Sequence, residues 1–263
     1  MNDLADILAS FKKQAATTGV FSDLDGTLSR IALSPTDAKI DDDIKQLLEC
    51  LRAVYKLVGI VTGRDSIDAA NMVGLANLVY VGNHGLEIYD GRSCRIAPEA
   101  SKYPEIAQRA TKELCASRAL NEIDGLLVEG KHFGVAIHYR LATDKEKTRA
   151  RIESIIKPLA FRYGFRIAYG RNVVELKPPI RRNKGVAVRE LSEKHHLKNV
   201  LYFGDDTTDI DAFVELRRMR ESGGVKTLSV AVSSGEVDQR VIEEADYSIT
   251  GIEEMPRVLG YLL

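Results

Sequence analysis

The sequence predicts an α/β fold: a Rossmann-like core on a parallel sheet, with a smaller α+β domain inserted into it. Three observations predict it. Short apolar runs (Val20-Phe21, Leu57 to Val61, Leu78 to Val81, Val200 to Phe203, Val225 to Val230) alternate with segments whose apolar residues recur at helical spacing, the pattern of βαβ units. Several of these runs end in polar, glycine-containing turns, and the carboxyl ends of parallel strands are where such folds bind ligands. Between about 98 and 178 the pattern changes to helix, two adjacent strands, helix, two adjacent strands, which makes an open sandwich of its own. The expected division is therefore a first core part at 1–97, an inserted domain at 98–178 and a second core part at 179–263.

With 263 residues and a net charge of −1, the chain can bury a full core. It has no global electrostatic reason to bind nucleic acid or an anionic membrane. Cys50, Cys94 and Cys115 are odd in number and far apart, which argues against a zinc ribbon or a disulfide framework and for free thiols in a reducing cytoplasm. The N-terminal stretch to Gln14 spaces Leu4, Ile7, Leu8 and Phe11 as an amphipathic helix, not a signal peptide, and no run is long and apolar enough to span a bilayer.

The chain is organised around Val20-Phe21-Ser22-Asp23-Leu24-Asp25-Gly26-Thr27-Leu28. Residues i and i+2 of a strand share a side, so Asp23 and Asp25 could face one pocket. Paired carboxylates repel unless a cation lies between them, although Asp-Gly is also an ordinary turn pair. A polar loop with Pro35 follows. Asp41 to Asp43 then open a helix carrying Ile44, Leu47, Leu48, Leu51 and Val54 on one face; the acids suit the helix dipole. The second run ends at Thr62-Gly63-Arg64 before a helix (Asp65 to Met72), a place where a hydroxyl and backbone N–H groups suit an anion. The third ends at Gly82-Asn83-His84-Gly85, a tight turn that displays polar side chains, and Leu86 to Ile96 reads as a hairpin through Asp90-Gly91.

In the insert, helices are expected over Tyr103 to Leu120 and from Asp144 to about Ile156, with a kink at Pro158. Its strand pairs are Gly125 to Glu129 with Phe133 to Tyr139, and Phe165 to Ala168 with Val173 to Leu176. Glu129, Lys131, His138, Arg140 and Glu175 are polar residues on or beside these strands. They form either a cross-strand salt-bridge ladder or a ligand-reading face. After Pro178-Pro179 the core resumes, with Lys184 at a helix start and Gly204-Asp205-Asp206-Thr207-Thr208-Asp209 after a strand. Strand ends and helix starts thus carry Asp-x-Asp, Thr, Lys and Asp-Asp. Carboxylates there can hold a divalent cation while Thr and Lys hold phosphate oxygens, the requirements of phosphoryl transfer.

This ordered set resembles the haloacid dehalogenase superfamily of aspartate-based phosphatases. Asp23-Leu24-Asp25-Gly26-Thr27 matches its first motif, Thr62 the second, Lys184 the third and Gly204 to Asp209 the fourth. Within it the chain resembles the trehalose-6-phosphate phosphatase family through Gly82-Asn83-His84-Gly85, Glu129-Gly130-Lys131 with His138-Tyr139-Arg140, Glu175-Leu176-Lys177-Pro178, and Asp205 to Phe213. It departs at Ile210, where an acid is usual, and at Thr62, where Ser is more common. The resemblance starts at about residue 18 and leaves out the N-terminal helix, an oligomer or partner contact by expectation.

The resemblance implies a haloacid-dehalogenase-type core with an inserted cap, and a phosphatase acting on trehalose 6-phosphate. Asp23 would be the nucleophile and Asp25 the general acid and base. Magnesium would be held by Asp23, the backbone carbonyl of Asp25 and Asp205. Asp209, also within the metal group, would orient ligands and Lys184, alone or with Asp206. Thr62 and Lys184 would hold the non-reacting phosphate oxygens. Asn83, His84, Glu129, Lys131, His138, Arg140 and Glu175 would contact the sugar, and a functional link to a trehalose-phosphate synthase is implied. The alternatives are a phosphatase of sucrose phosphate or mannosyl-phosphoglycerate, a phospho-aspartate receiver, and a catalytically silent sensing or interaction protein on the same fold.

Overall fold

The computed structural model of the chain describes residues 4–31, 38–170, 172–234 and 238–263. The expected loop with Pro35 falls largely outside these residues; so does Gly235, where the run Ser233-Ser234-Gly235 by itself predicts a turn. The chain divides into two compact units, Met1–Arg95 with Arg182–Leu263, and Ile96–Arg181. The sequence placed these divisions at 97/98 and 178/179.

The first unit is built on α1 (Leu4–Lys12), β1 (Thr18–Ser22), α2 (Asp42–Val54), β2 (Leu57–Val61), α3 (Ser66–Val73), β3 (Val79–Gly82), β4 (Glu87–Tyr89) and β5 (Cys94–Ile96). The second unit follows with α4 (Tyr103–Cys115), α5 (Arg118–Asn121), β6 (Leu127–Lys131), β7 (Gly134–His138), α6 (Lys145–Tyr163), β8 (Arg166–Gly170) and β9 (Val173–Lys177). The first unit then resumes with α7 (Lys184–Lys194), β10 (Asn199–Gly204), α8 (Ile210–Glu221), β11 (Lys226–Ser233), α9 (Gln239–Glu244), β12 (Tyr247–Thr250) and α10 (Met255–Gly260).

The large sheet runs β12-β11-β10-β1-β2-β3-β4-β5. Pairing is parallel from β12 to β3 and turns antiparallel at β3–β4. Its central strands are apolar on both faces because helices cover both. Val20, Leu201 and Phe203 point into one cluster with α1, α2, α3 and α10. Their strand neighbours Phe21, Val200 and Tyr202 point into the other, with α7, α8 and α9. That alternation is the two-residue period of a strand sandwiched between helix layers.

The structure corrects several expectations. The N-terminal helix is part of the core: Leu8 and Phe11 are fully buried in the same cluster as Val20, Leu48 and Leu201. Its apolar stripe is therefore covered by this chain. The helix expected over Tyr103 to Leu120 is two, because the backbone becomes extended at Ser117. Helix α6 runs through Pro158 to a left-handed Gly164. Ile152, Ile156, Leu159 and Ala160 are buried on both sides of the proline, and that packing outweighs the cost of about 3 kcal/mol for an interior proline. Helix α9 was not anticipated; Asp238 caps it by accepting from the Arg240 N–H.

In the second unit, an antiparallel sheet β6-β7-β9-β8 packs α4 and α6 on one face. Directly opposed residues share a face. Glu129, Ala136, Glu175 and Ala168 stand in one row across all four strands. The pairs Lys131–Gly134 and Lys177–Arg166 lie on that same side, two residues along. Val135, Ile137, Val174 and Leu176 line the buried side. Among the described residues, no helix is long and apolar enough to cross a membrane.

Candidate active site

Parallel pairing brings the carboxyl ends of β10, β1, β2 and β3 side by side. Phe203 pairs with Ser22, Ser22 with Ile60, and Val61 with Val81. Asp205, Asp23, Thr62 and Asn83 follow those positions in the chain, so four distant stretches of sequence meet at one sheet edge.

Asp23 is buried, and its N–H extends the ladder to the Phe203 carbonyl at 2.8 Å. Lys184, the first residue of α7, is 1% exposed. Its Nζ lies 2.8 Å from Asp23 Oδ2 and 2.7 Å from Asp209 Oδ1. Asn183 fixes the start of that helix by accepting from the Val186 N–H at 3.0 Å, a normal N-cap. Burial alone would lower the Lys184 ammonium, but the Asp23 and Asp209 carboxylates outweigh it and hold the ammonium above the ordinary lysine range. Burial also pushes the Asp23 carboxyl up, against the pull of Lys184.

Asp209 is fully buried and its oxygens are heavily committed. Oδ1 accepts from Lys184 and from the Tyr202 hydroxyl, and Oδ2 accepts from the N–H groups of Asp205 and Asp206. Four donors fill the usual acceptor capacity of a carboxylate, which suits a positioning role. Asp205 accepts from the Thr27 hydroxyl at 2.6 Å. Burial pushes the Asp205 carboxyl up to about 7; the Thr27 bond pulls the other way, and the Asp209 charge adds to the rise. Gly26 has φ +86, and a Cβ there would lie 2.0 Å from Asp205 Oδ2, so the Asp-Gly turn lets that carboxylate come close. Asp206 is exposed and serves its own turn, accepting from the Thr207 N–H at 2.6 Å.

Oxygen ligands of Asp23, Asp205 and Asp209 all lie within 4.8 Å of one another. Three carboxylates around one ammonium leave excess negative charge in a buried place. Thr208 Oγ1, in the same turn, is buried without a hydrogen-bond partner among the described residues. Hard oxygen donors with uncompensated charge fit a divalent cation of the magnesium type.

Asp25 turns its carboxylate elsewhere: Arg64 grips it, with Nε to Oδ2 and Nη2 to Oδ1, both at 2.6 Å. Thr62 is buried, and its hydroxyl accepts from the Arg64 N–H at 3.2 Å. Its carbonyl accepts from the His84 N–H, and the Arg64 carbonyl accepts from the Asn83 N–H. Asn83 donates to the buried Glu87 at 2.9 Å. Sequence reasoning gave no role to Arg64, Thr27, Tyr202 or Glu87. Thr27 and Arg64 stand inside the recognised motifs, and a tyrosine in a wholly buried strand needs a partner for its hydroxyl. Glu87 had no local signal.

On the exposed side of the second sheet, Glu129 accepts from His138 at 2.8 Å and from Lys131. Burial would raise the Glu129 carboxyl, but the Lys131 and His138 bonds outweigh it and hold it below its usual value. Glu175 pairs with Lys177 at 2.8 Å. Arg140 is exposed in the turn after β7. Ala136, Ala168 and Gly134 leave a low floor between these charged side chains.

A model of the trehalose-phosphatase family matches residues 21–249. The chain is 34% identical over 226 residues to the trehalose-phosphate phosphatase of Mycobacterium ulcerans (strain Agy99), a match covering 81% of this chain and 56% of that protein. It is 35% identical over 211 residues to an uncharacterized glycosyl hydrolase of Mycobacterium tuberculosis (strain ATCC 25618 / H37Rv), covering 75% of this chain and 15% of that one. The chain thus spans about half the length of the curated phosphatase it matches. A crystal structure of a trehalose-6-phosphate phosphatase related protein shares its fold, with a TM-score of 0.72 at 24% identity over 93% of this chain and 96% of that one. By the family match across most of its length, the chain belongs to the trehalose-phosphatase family.

Proposed function

We propose that the chain hydrolyses trehalose 6-phosphate to trehalose and phosphate through an aspartyl-phosphate at Asp23. The observation that carries this reading is the Lys184 ammonium between Asp23 and Asp209 at the head of adjacent parallel strands. A buried carboxylate beside a fixed cation is a nucleophile that a dianionic phosphate can approach. Asp23 forms a bond to phosphorus as the bond from phosphorus to the sugar oxygen breaks. Asp25 gives that leaving oxygen a proton. It then takes one from the water that attacks the phosphorus of the acyl phosphate, which frees Asp23 and phosphate.

Thr62 and Lys184 hold the non-reacting oxygens. Asp23, Asp205 and the backbone carbonyl of Asp25 would hold magnesium, with Asp209 fixing Asp205 and Lys184. When bound, the ion offsets the repulsion between nucleophile and phosphate.

The uncharged disaccharide must be read through its hydroxyls, which requires donors and acceptors that the wrong sugar would leave unpaired. Asn83, His84, Glu129, Lys131, His138, Arg140 and Glu175 are assigned that role. The exposed row of acids and bases on the second sheet supports it. A cytoplasmic setting and a link to a trehalose-phosphate synthase complete the reading; the free state of Cys50, Cys94 and Cys115 supports the first.

The test is phosphate release, with and without magnesium, from trehalose 6-phosphate, sucrose 6-phosphate, glucose 6-phosphate and an aryl phosphate. A magnesium-dependent preference for the first is expected. Turnover of the aryl phosphate alone would discard the sugar assignment, and no turnover of any would leave a sensing or interaction role.

A further inference from the structure

We propose that Glu87 holds the Asn83–Gly85 turn in its left-handed form and presents the Asn83 side chain to the ligand. It is thus a positioning residue that no motif marks. The proposal rests on the assignment of Asn83 to substrate contact.

Asn83, His84 and Gly85 take φ values of +50, +55 and +102 in succession. Only glycine adopts that region without a Cβ penalty, and runs of such residues persist where the surroundings over-determine them. Here the surroundings are explicit. The Asn83 and His84 N–H groups donate to the carbonyls of Arg64 at 2.7 Å and Thr62 at 3.0 Å. Gly63 leaves room for the His84 ring, since a Cβ on it would come within 2.7 Å of that ring. The turn is therefore laid directly on the loop that carries Thr62 and Arg64.

Glu87 locks this arrangement. It is 1% exposed, at the start of β4 and opposite Gly82. Its Oε1 accepts from the Ser66 N–H at 2.7 Å and from Asn83 Nδ2 at 2.9 Å. A Cβ at Gly82 would lie 2.3 Å from the Ser66 nitrogen and 2.7 Å from Glu87 Oε1, so the glycine clears the path by which the carboxylate reaches across. One oxygen thus ties the turn to the first residue of α3.

The contact also orients an amide. A carboxylate accepts and does not donate, so Asn83 must turn its NH2 towards Glu87. That leaves Oδ1 as the end of the amide able to accept from a sugar hydroxyl.

The experiment compares wild type with Glu87→Ala, Glu87→Asp, Glu87→Gln, Asn83→Ala and the Glu87→Ala/Asn83→Ala double variant. Thermal melts confirm folding. Hydrogen exchange at the Asn83 and His84 amides reads the turn without any substrate. Steady-state kinetics on trehalose 6-phosphate and an aryl phosphate read the consequence.

In Glu87→Ala the two amides are expected to exchange about tenfold faster or more. The KM for trehalose 6-phosphate is expected to rise about tenfold, with aryl phosphate turnover within about twofold of wild type. Glu87→Gln, which keeps an acceptor at Oε1, recovers most of both losses. Glu87→Asp, one methylene short of reaching both donors, does not, and it serves should the alanine variant fail to fold. The kinetic cost of Glu87→Ala vanishes in the Asn83→Ala background, because the two act as one unit.

Unchanged exchange in the folded variants overturns the proposal. So does a kinetic cost that is the same with and without Asn83, or an equal loss on both substrates. If wild type hydrolyses neither substrate, the enzymatic reading fails, and the exchange measurement alone still decides whether Glu87 holds the turn.

Discussion

The Arg64 guanidinium closes on the Asp25 carboxylate as a fork, Nε to Oδ2 and Nη2 to Oδ1, each at 2.6 Å. The hydrogen bond to Asp25 holds the guanidinium above its ordinary range. Both Asp25 oxygens are engaged as acceptors, so the pair has to open on one of them before Asp25 can protonate a leaving oxygen.

Arg64→Gln breaks the fork and removes a positive charge near the nucleophile. The expected outcome is a fall in kcat of about tenfold or more on trehalose 6-phosphate, whose alkoxide leaving group needs a proton, and a smaller fall on an aryl phosphate. Equal falls on the two substrates would place the effect of Arg64 outside Asp25.

Lys184→Met leaves Asp23 and Asp209 buried without their shared cation. Breaking a buried pair from one side costs about 3–5 kcal/mol, so the urea midpoint is expected to drop well below wild type. Phosphatase activity is expected to be lost in the fraction that remains folded. Circular dichroism in urea, with activity measured below the transition, checks both.

Magnesium is expected to raise the Tm, and by more at higher pH. The Asp205 carboxyl is pushed up to about 7 by burial, above its unfolded value of about 3.9. A raised carboxyl contributes its stabilisation below the unfolded value and loses it as the pH climbs through the folded one. The metal-free protein should therefore weaken between about pH 4 and pH 7. The magnesium-induced shift in Tm should be larger at about pH 8 than at about pH 5.5. Asp205→Asn should flatten this dependence, and titration calorimetry should show weaker magnesium binding.

Asp246 gives a control far from the site in sequence. It accepts from Arg220 at 2.9 and 3.1 Å and from the Ser229 N–H at 2.9 Å. Burial would raise its carboxyl, but the Arg220 and Ser229 bonds outweigh it and hold it below the usual value. A lowered carboxyl stabilises above its unfolded value and loses that stabilisation as the pH falls through the folded one. Asp246→Asn is expected to cost about 1 kcal/mol at neutral pH, since Arg220 is partly screened by solvent. The difference in Tm should shrink below about pH 4.

The strand runs were legible because a sheet covered on both faces demands unbroken apolar segments such as Leu57–Val61 and Val200 to Phe203. The helix ends were less so. Pro158 reads as a kink, yet the helix continues because burial of Leu159 and Ala160 lies beyond it. Helix α9 carries one fully buried apolar residue, Val241, too little for a periodicity. The N-terminal helix showed its stripe but not what covers it.

By itself the sequence determined the core's alternation of apolar strand runs and helical segments, and it named Asp23, Thr62, Lys184 and Asp205 as site candidates, because strand-end chemistry is written in contiguous residues. Only the tertiary structure decided that one ammonium serves both Asp23 and Asp209, that Arg64 grips Asp25, and that the buried Glu87 accepts from the Ser66 N–H. Those contacts join residues far apart in the chain or on opposed strands. They exist only once parallel pairing has brought their strand ends together and burial has made each unpaired charge costly.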